Sequence, residues 1–112
     1  MRAIPTAIGY LRTDVSGIRQ TWDETQIRSL AGKLGYNYLK LVAFSNATLD
    51  PLERLATLAR RLDVDAVVTP SLEHVGGQVP ELVVAAADVI TVSPQKSYAR
   101  WASGRVDLTS TT

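Results

Sequence analysis

The chain contains no cysteine, and its 112 residues include one histidine, His74. Without thiols, neither a disulfide framework nor a thiolate metal site can form. One imidazole is too little for a protein-built transition-metal site, so no metal is expected. Net charge is almost absent as well: 12 lysines and arginines stand against 11 aspartates and glutamates, a formal +1. That sum excludes a strong overall basic footprint for nucleic acid but leaves local asymmetry open. No apolar stretch approaches the roughly 20 residues of a membrane-spanning helix. The first nine residues hold one arginine and no long apolar run, unlike a secretory leader. A cytoplasmic location without membrane contact is therefore the expectation. The full glycine signature of a nucleotide site is missing, and no cofactor is expected.

What is present is the balance of an ordinary folded domain, with 46% hydrophobic and 21% charged residues. The length suits one domain with a real core and no second one. Apolar segments alternate between strand and helix patterns. Residues 3–11 read as a first strand and Thr13 to Gln20 as a loop holding Asp14, Ser16 and Gly17. Thr21-Trp22-Asp23-Glu24 has the spacing of a capping box, followed by Ile27, Leu30, Ala31 and Leu34 on one helical face, with Gly35 as the stop. Residues 36–44 read as a second strand. Asp50-Pro51-Leu52-Glu53 predicts a second helix start, with Asp50 accepting from the free amides and Pro51 in the first turn. Leu52, Leu55, Leu58, Ala59 and Leu62 repeat at helical spacing behind it. A short buried strand at Asp65 to Thr69 ends at Pro70. Then follow a loop with Gly76-Gly77, an apolar helix from Pro80 to Ala87, and a strand from Asp88 to Val92. Pro94 to Gly104 is expected to be a short terminal helix with Tyr98 and Trp101 on one side. The fold class is thus α/β: three layers, a mostly parallel sheet of four to five strands, and helices on both faces. Residues 1–94 form the domain, and residues 95–112 a short C-terminal helix and a frayed tail. Ligands of such sheets sit beyond the carboxyl ends of the strands, which directs attention to the loops at Arg12 to Gln20, Ser45 to Asp50 and Pro70 to Gln78.

The first of these loops carries the chemical content. It reads Tyr10-Leu11-Arg12-Thr13-Asp14-Val15-Ser16-Gly17-Ile18-Arg19-Gln20. This segment resembles the end of the first strand in serine recombinases, the resolvases and invertases. Those proteins carry a tyrosine, any residue, an arginine, then valine-serine and a glutamine four residues after the serine. Thr13 and Asp14 stand as an insertion between the two halves. The helix with Gln26, the helix near residue 50, the Asp-Ala-Val-Val strand at Asp65 to Val68 and the strand at Val89 to Val92 keep the family's order. The resemblance covers residues 3–94 and implies a resolvase-like fold in which a serine, here Ser16, attacks a DNA phosphodiester. That chemistry needs an exposed, activated nucleophile and several fixed cations around the phosphate. Arginine suits the second task because its planar fork holds two phosphate oxygens and keeps its proton.

Most of those cations are missing. The family's arginine at the second helix falls at Pro51, with Arg54 about one turn further on. After the third strand, Leu72-Glu73-His74-Val75-Gly76-Gly77 replaces a pattern with two arginines by His74 and Gly77, and Glu73 takes an aspartate's place. A neutral imidazole gives no permanent charge at pH 7. Only Lys96, Arg100 and Arg105 remain toward the end for phosphate contact, so DNA binding is expected to be weak.

Each candidate has a plainer alternative. Ser16 is a nucleophile or a turn residue; Arg12 binds phosphate or pairs with Asp14 or Glu73; His74 is an acid–base group or a loop-packing residue. Gly76-Gly77 cradles a phosphate or makes a turn. Trp22 anchors a partner or fixes the first helix to the sheet, and Arg60-Arg61 is a solvated helix face. Ser16 and Arg12 are the candidate catalytic pair, with Tyr10, Gln20, Glu73 and His74 as candidate binding residues. The leading expectation is a resolvase-like domain without DNA cleavage or strand exchange. It would act as a protein-interaction or regulatory module, with a protein partner or a second copy meeting the Pro80 to Ala87 helix or Trp101. The alternatives are a minimal serine recombinase or nuclease using Ser16, and an anion- or nucleotide-binding module.

Overall fold

The computed structural model describes residues 4–100. Five strands form one sheet in the order β2-β1-β3-β4-β5. They are β1 (Thr6–Arg12), β2 (Asn37–Phe44), β3 (Ala66–Thr69), β4 (Asp88–Thr91) and β5 (Lys96–Tyr98). The first four run parallel; β5 returns antiparallel along β4. The helices are α1 (Thr13–Ser16), α2 (Gln20–Lys33), α3 (Pro51–Leu62) and α4 (Glu81–Val84), with 3₁₀ turns at Gly17–Arg19 and Leu72–Val75.

Alternation along β1 sets the layers, because successive strand side chains point to opposite faces. Ala7 and Leu11 join Ile27, Leu30 and Ala31 of α2, with Ala66, Val68 and Ile90 beside them. Ile8 and Tyr10 join Leu55, Ala56 and Ala59 of α3 and Val83 and Val84 of α4 on the other face. The expected α/β architecture, a mostly parallel sheet with helices on both faces, is the one observed. Gly9 lets α2 approach the sheet closely. A Cβ there would lie 2.6 Å from Ile27 Cγ2 and 2.8 Å from the Tyr38 hydroxyl.

Several local readings change. Thr13 to Gln20 is not an open loop: its residues form α1 and, after a break at Gly17 (φ 56°, ψ −129°), a 3₁₀ turn that leads into α2. The chain is therefore already wound when it reaches Thr21, which lies inside α2 and caps nothing; α2 has no side-chain cap. Asp50 does not cap α3 either. It adopts a left-handed backbone (φ 49°, ψ 54°) with no side-chain cap bond, although Pro51 occupies the first turn as expected. The apolar segment after Pro80 is helical only over Glu81–Val84. The terminal helix is replaced, over the described part of its range, by strand β5. The chain turns at residues 93–95, where the Thr91 hydroxyl donates to the Pro94 carbonyl at 2.6 Å. Tyr98 then points into the α3–α4 core while Lys96 and Ser97 face out. Trp101, Arg105 and the frayed tail lie outside the described residues.

Parallel strands leave β1 toward β2 on one side and, by way of β3, toward β4 on the other. The point where the winding reverses lies between β1 and β3. Open sheets of this kind bind ligands in the crevice at that reversal, beyond the carboxyl ends.

Candidate functional site

The crevice at the reversal is lined by three segments. Helix α2 and the turns before it supply Val15, Arg19 and Asp23. The segment after β3 supplies Pro70, Ser71, Glu73 and His74. Ser93 follows β4. Together they enclose a cavity of about 180 Å³.

Helical spacing explains how Asp23 comes to be there. Asp23, Ile27 and Ala31 are each four residues apart, so they share the face of α2 turned to the sheet. Ile27 and Ala31 pack on strands. Asp23, one turn nearer the helix start, overhangs the carboxyl ends and is only 5% exposed. Ser16, seven residues earlier, is also 5% exposed, and its hydroxyl donates to Asp23 Oδ2 at 2.7 Å. Arg19 approaches the other oxygen from solvent, with its guanidinium 3.9 Å from Oδ1.

His74 is the second buried polar group, 3% exposed. The 3₁₀ turn Leu72–Val75 brings it under the end of β1, where the Arg12 backbone N–H donates to Nδ1 at 2.9 Å. An Nδ1 that accepts fixes the tautomer with its proton on Nε2. Burial pushes the His74 pKa below its ordinary value of 6.5, although Asp23, Glu73 and Asp14 pull the other way. The ring is therefore neutral at pH 7.

Arg12 itself is committed elsewhere. Its guanidinium forks onto Asp14, with Nε 2.9 Å from Oδ1 and Nη2 2.6 Å from Oδ2. This bond raises the Arg12 pKa and lowers that of Asp14. Of the two partners considered from the sequence, Asp14 is the one observed. The two residues that looked like an insertion thus build α1 and supply the carboxylate that occupies the arginine.

The remaining candidates scatter. Tyr10 is fully buried in the α3–α4 core, edge-on to Phe44 at 5.7 Å, and its hydroxyl has no hydrogen-bond partner. Its side chain therefore points to the opposite face from Asp23, and burial raises its pKa. Gln20 is half-buried at the start of α2, outside the cavity wall. Glu73 lines the cavity from an exposed position. Arg54 donates from Nε to the Leu49 carbonyl and lines a separate groove with Phe44, Thr57 and Arg61. Gly76 and Gly77 both take positive φ in a turn and line no part of this crevice. Trp22 does not fix α2 to the sheet: it is 60% exposed, and Ile18 one turn before it is wholly exposed.

Asp23 is the residue the motif reading missed. Its signal was the four-residue spacing with Ile27 and Ala31, which places an acid on a face that must be buried. Comparison with protein-family models, curated proteins and solved structures finds no match to this chain.

Proposed function

We propose that the chain is a resolvase-like domain that does not cleave DNA and works as a protein-interaction module. One observation carries this reading: the Ser16 hydroxyl is buried and donates to Asp23, the Arg12 guanidinium is taken up by Asp14, and only the exposed Arg19, 3.9 Å from Asp23 Oδ1, remains of the arginines in its segment. A phosphodiester brought to this serine would meet Asp23 rather than a cluster of free guanidinium groups, and each missing transition-state donor costs about 100- to 1,000-fold in rate.

Of the two surfaces suggested by the sequence, Trp101 lies outside the described residues and the segment from Pro80 to Ala87 is largely buried. In the Pro80 to Ala87 segment, Val83, Val84, Ala86 and Ala87 are buried in the molecule's own core, leaving Leu82 as the apolar side chain facing out. Exposed apolar side chains are scattered, with Leu39, Leu49 and Leu82 among them, and three stand close in sequence along the α1–α2 stretch. These are Val15, Ile18 and Trp22, which are 37%, 104% and 60% exposed. Exposed apolar patches mark interaction surfaces, and tryptophan is among the residues enriched at interface anchors.

The test has two arms. Supercoiled DNA incubated with the chain is expected to give no covalent protein adduct, and an adduct that disappears in Ser16→Ala would overturn the reading. Light scattering at high concentration, with affinity recovery from cells, is expected to show self-association or a partner that Ile18→Glu abolishes. A strict monomer with no partner would equally overturn it.

A further inference from the structure

The crevice between β1 and β3 offers two buried groups of opposite hydrogen-bonding sense that do not bond to each other. Asp23 spends Oδ2 on Ser16, while Oδ1 has only the distant Arg19 guanidinium at 3.9 Å, beyond hydrogen-bond range. His74 spends Nδ1 on the Arg12 amide, and its Nε2–H bonds to no protein group among the described residues. Both residues line the same cavity. A carboxylate can accept about four hydrogen bonds, and neither Asp23 Oδ1 nor His74 Nε2 is among the polar atoms sealed in the core without a partner, so both are reachable from the crevice. The site therefore has unspent capacity to accept at Asp23 and to donate at His74.

Charge decides what can fill it. With His74 neutral, the wall carries two carboxylates, Asp23 and Glu73, against one guanidinium, Arg19. A phosphate would be repelled by the surplus negative charge. A metal ion lacks ligands, since no group of three or more histidine or acidic side chains among the described residues is placed to hold one. A ligand with one cationic and one anionic end would satisfy both sets. Size points the same way. About 180 Å³ is far more than the ~10–15 Å³ one water needs, and below the ~300 Å³ at which pockets for drug-sized ligands begin.

We propose that this crevice binds a small zwitterion of the amino-acid class. Its ammonium lies on Asp23 and Glu73, and its carboxylate on Arg19 and the His74 Nε2–H. Ser71 and Ser93 supply hydroxyls on the remaining wall. The crevice shares Val15 with the exposed apolar residues of the α1–α2 stretch, but Ile18 and Trp22 lie outside its wall, so Ile18→Glu tests that surface and Arg19→Ala tests the crevice separately.

His74 is the chain's one histidine, and its ring protons give a single reporter inside the cavity. Proton NMR of the full chain is titrated with glycine and L-serine, and in parallel with methylammonium, acetate and inorganic phosphate. Glycine or serine is expected to shift the His74 signals saturably, with methylammonium and acetate each at least tenfold weaker and phosphate without effect. Arg19→Ala, a change at an exposed side chain that leaves the core intact, is expected to weaken binding at least tenfold, and Asp23→Asn to do the same. Unmoved His74 signals, a phosphate response as strong as that of the amino acids, either single-charge probe matching the zwitterions, or unchanged affinity in Arg19→Ala would each overturn the proposal.

Discussion

His74 illustrates how one side chain can carry both structure and pH sensitivity. Its Nδ1 accepts from the last residue of β1 only while the ring is neutral, and burial favours that form. The folded-state pKa is depressed below 6.5. Between the folded and unfolded values, the unfolded chain therefore binds more protons than the native one, and stability rises with pH. The contribution is complete above pH 6.5 and is lost as pH falls through the folded value. The charged groups facing the ring are Asp23 from α2, Glu73 from its own turn, and Arg12 and Asp14 from the β1–α1 junction; burial, helped by Arg12, outweighs the three carboxylates. Denaturant midpoints measured across this range should fall on acidification in the native chain. They should stay flatter in His74→Asn, which keeps an acceptor near Nδ1 but does not titrate. His74→Ala leaves the Arg12 amide without its acceptor and should cost about 1–3 kcal/mol at neutral pH. At this scale the sequence was partly legible. Arg12, Ser16, Glu73 and His74 stood out because their residue types are chemically conspicuous in loops at the sheet's carboxyl edge. Tyr10 stood out equally and belongs to the core, because strand alternation turns it away from the residues flanking it.

Elements reveal why some segments misread. Thr13 to Arg19 contains Asp14, Ser16 and Gly17, residues that favour turns, yet it winds as α1 and a 3₁₀ turn. Ser16 bonding to Asp23 and Arg12 bonding to Asp14 are contacts that local preference cannot foresee. Lys96–Tyr98 misread for a different reason: three residues are too few to separate a period of two from one of 3.6, and pairing with β4 decides the matter. The long elements, α2, α3 and β2, were legible because their apolar spacing extends over two or more turns or pleats. Gly9 tests how closely α2 depends on β1. Gly9→Ala should destabilise the chain by about 1–3 kcal/mol, as overpacking usually does, since the new methyl would meet Ile27 and Tyr38 at 2.6 and 2.8 Å. Thermal or chemical unfolding measures it, and an unchanged midpoint would show that α2 can slide away at no cost.

For the whole molecule, strand order governs where stability resides. Among the described residues, β1 and β3 are paired on both sides, whereas β2 and β5 each leave one edge open. Native-state hydrogen exchange should accordingly be slowest at Ala7, Val67 and Val68. It should be markedly faster at Leu39 and Lys40, both exposed on β2, since opening free energies track burial and pairing. Equal protection in β2 would mean that something else covers that edge.

The same order shapes how the chain is made. β1 leaves the ribosome before both of its neighbours, and the second of them, β3, is encoded about sixty residues later, as the Thr6–Asp65 bond 59 positions apart records. Until Thr69 has emerged, the nascent polypeptide carries an apolar strand with an unpaired side. Translation that stalls within α3 would release a fragment holding β1, α2 and β2 with that side bare, a ready template for aggregation.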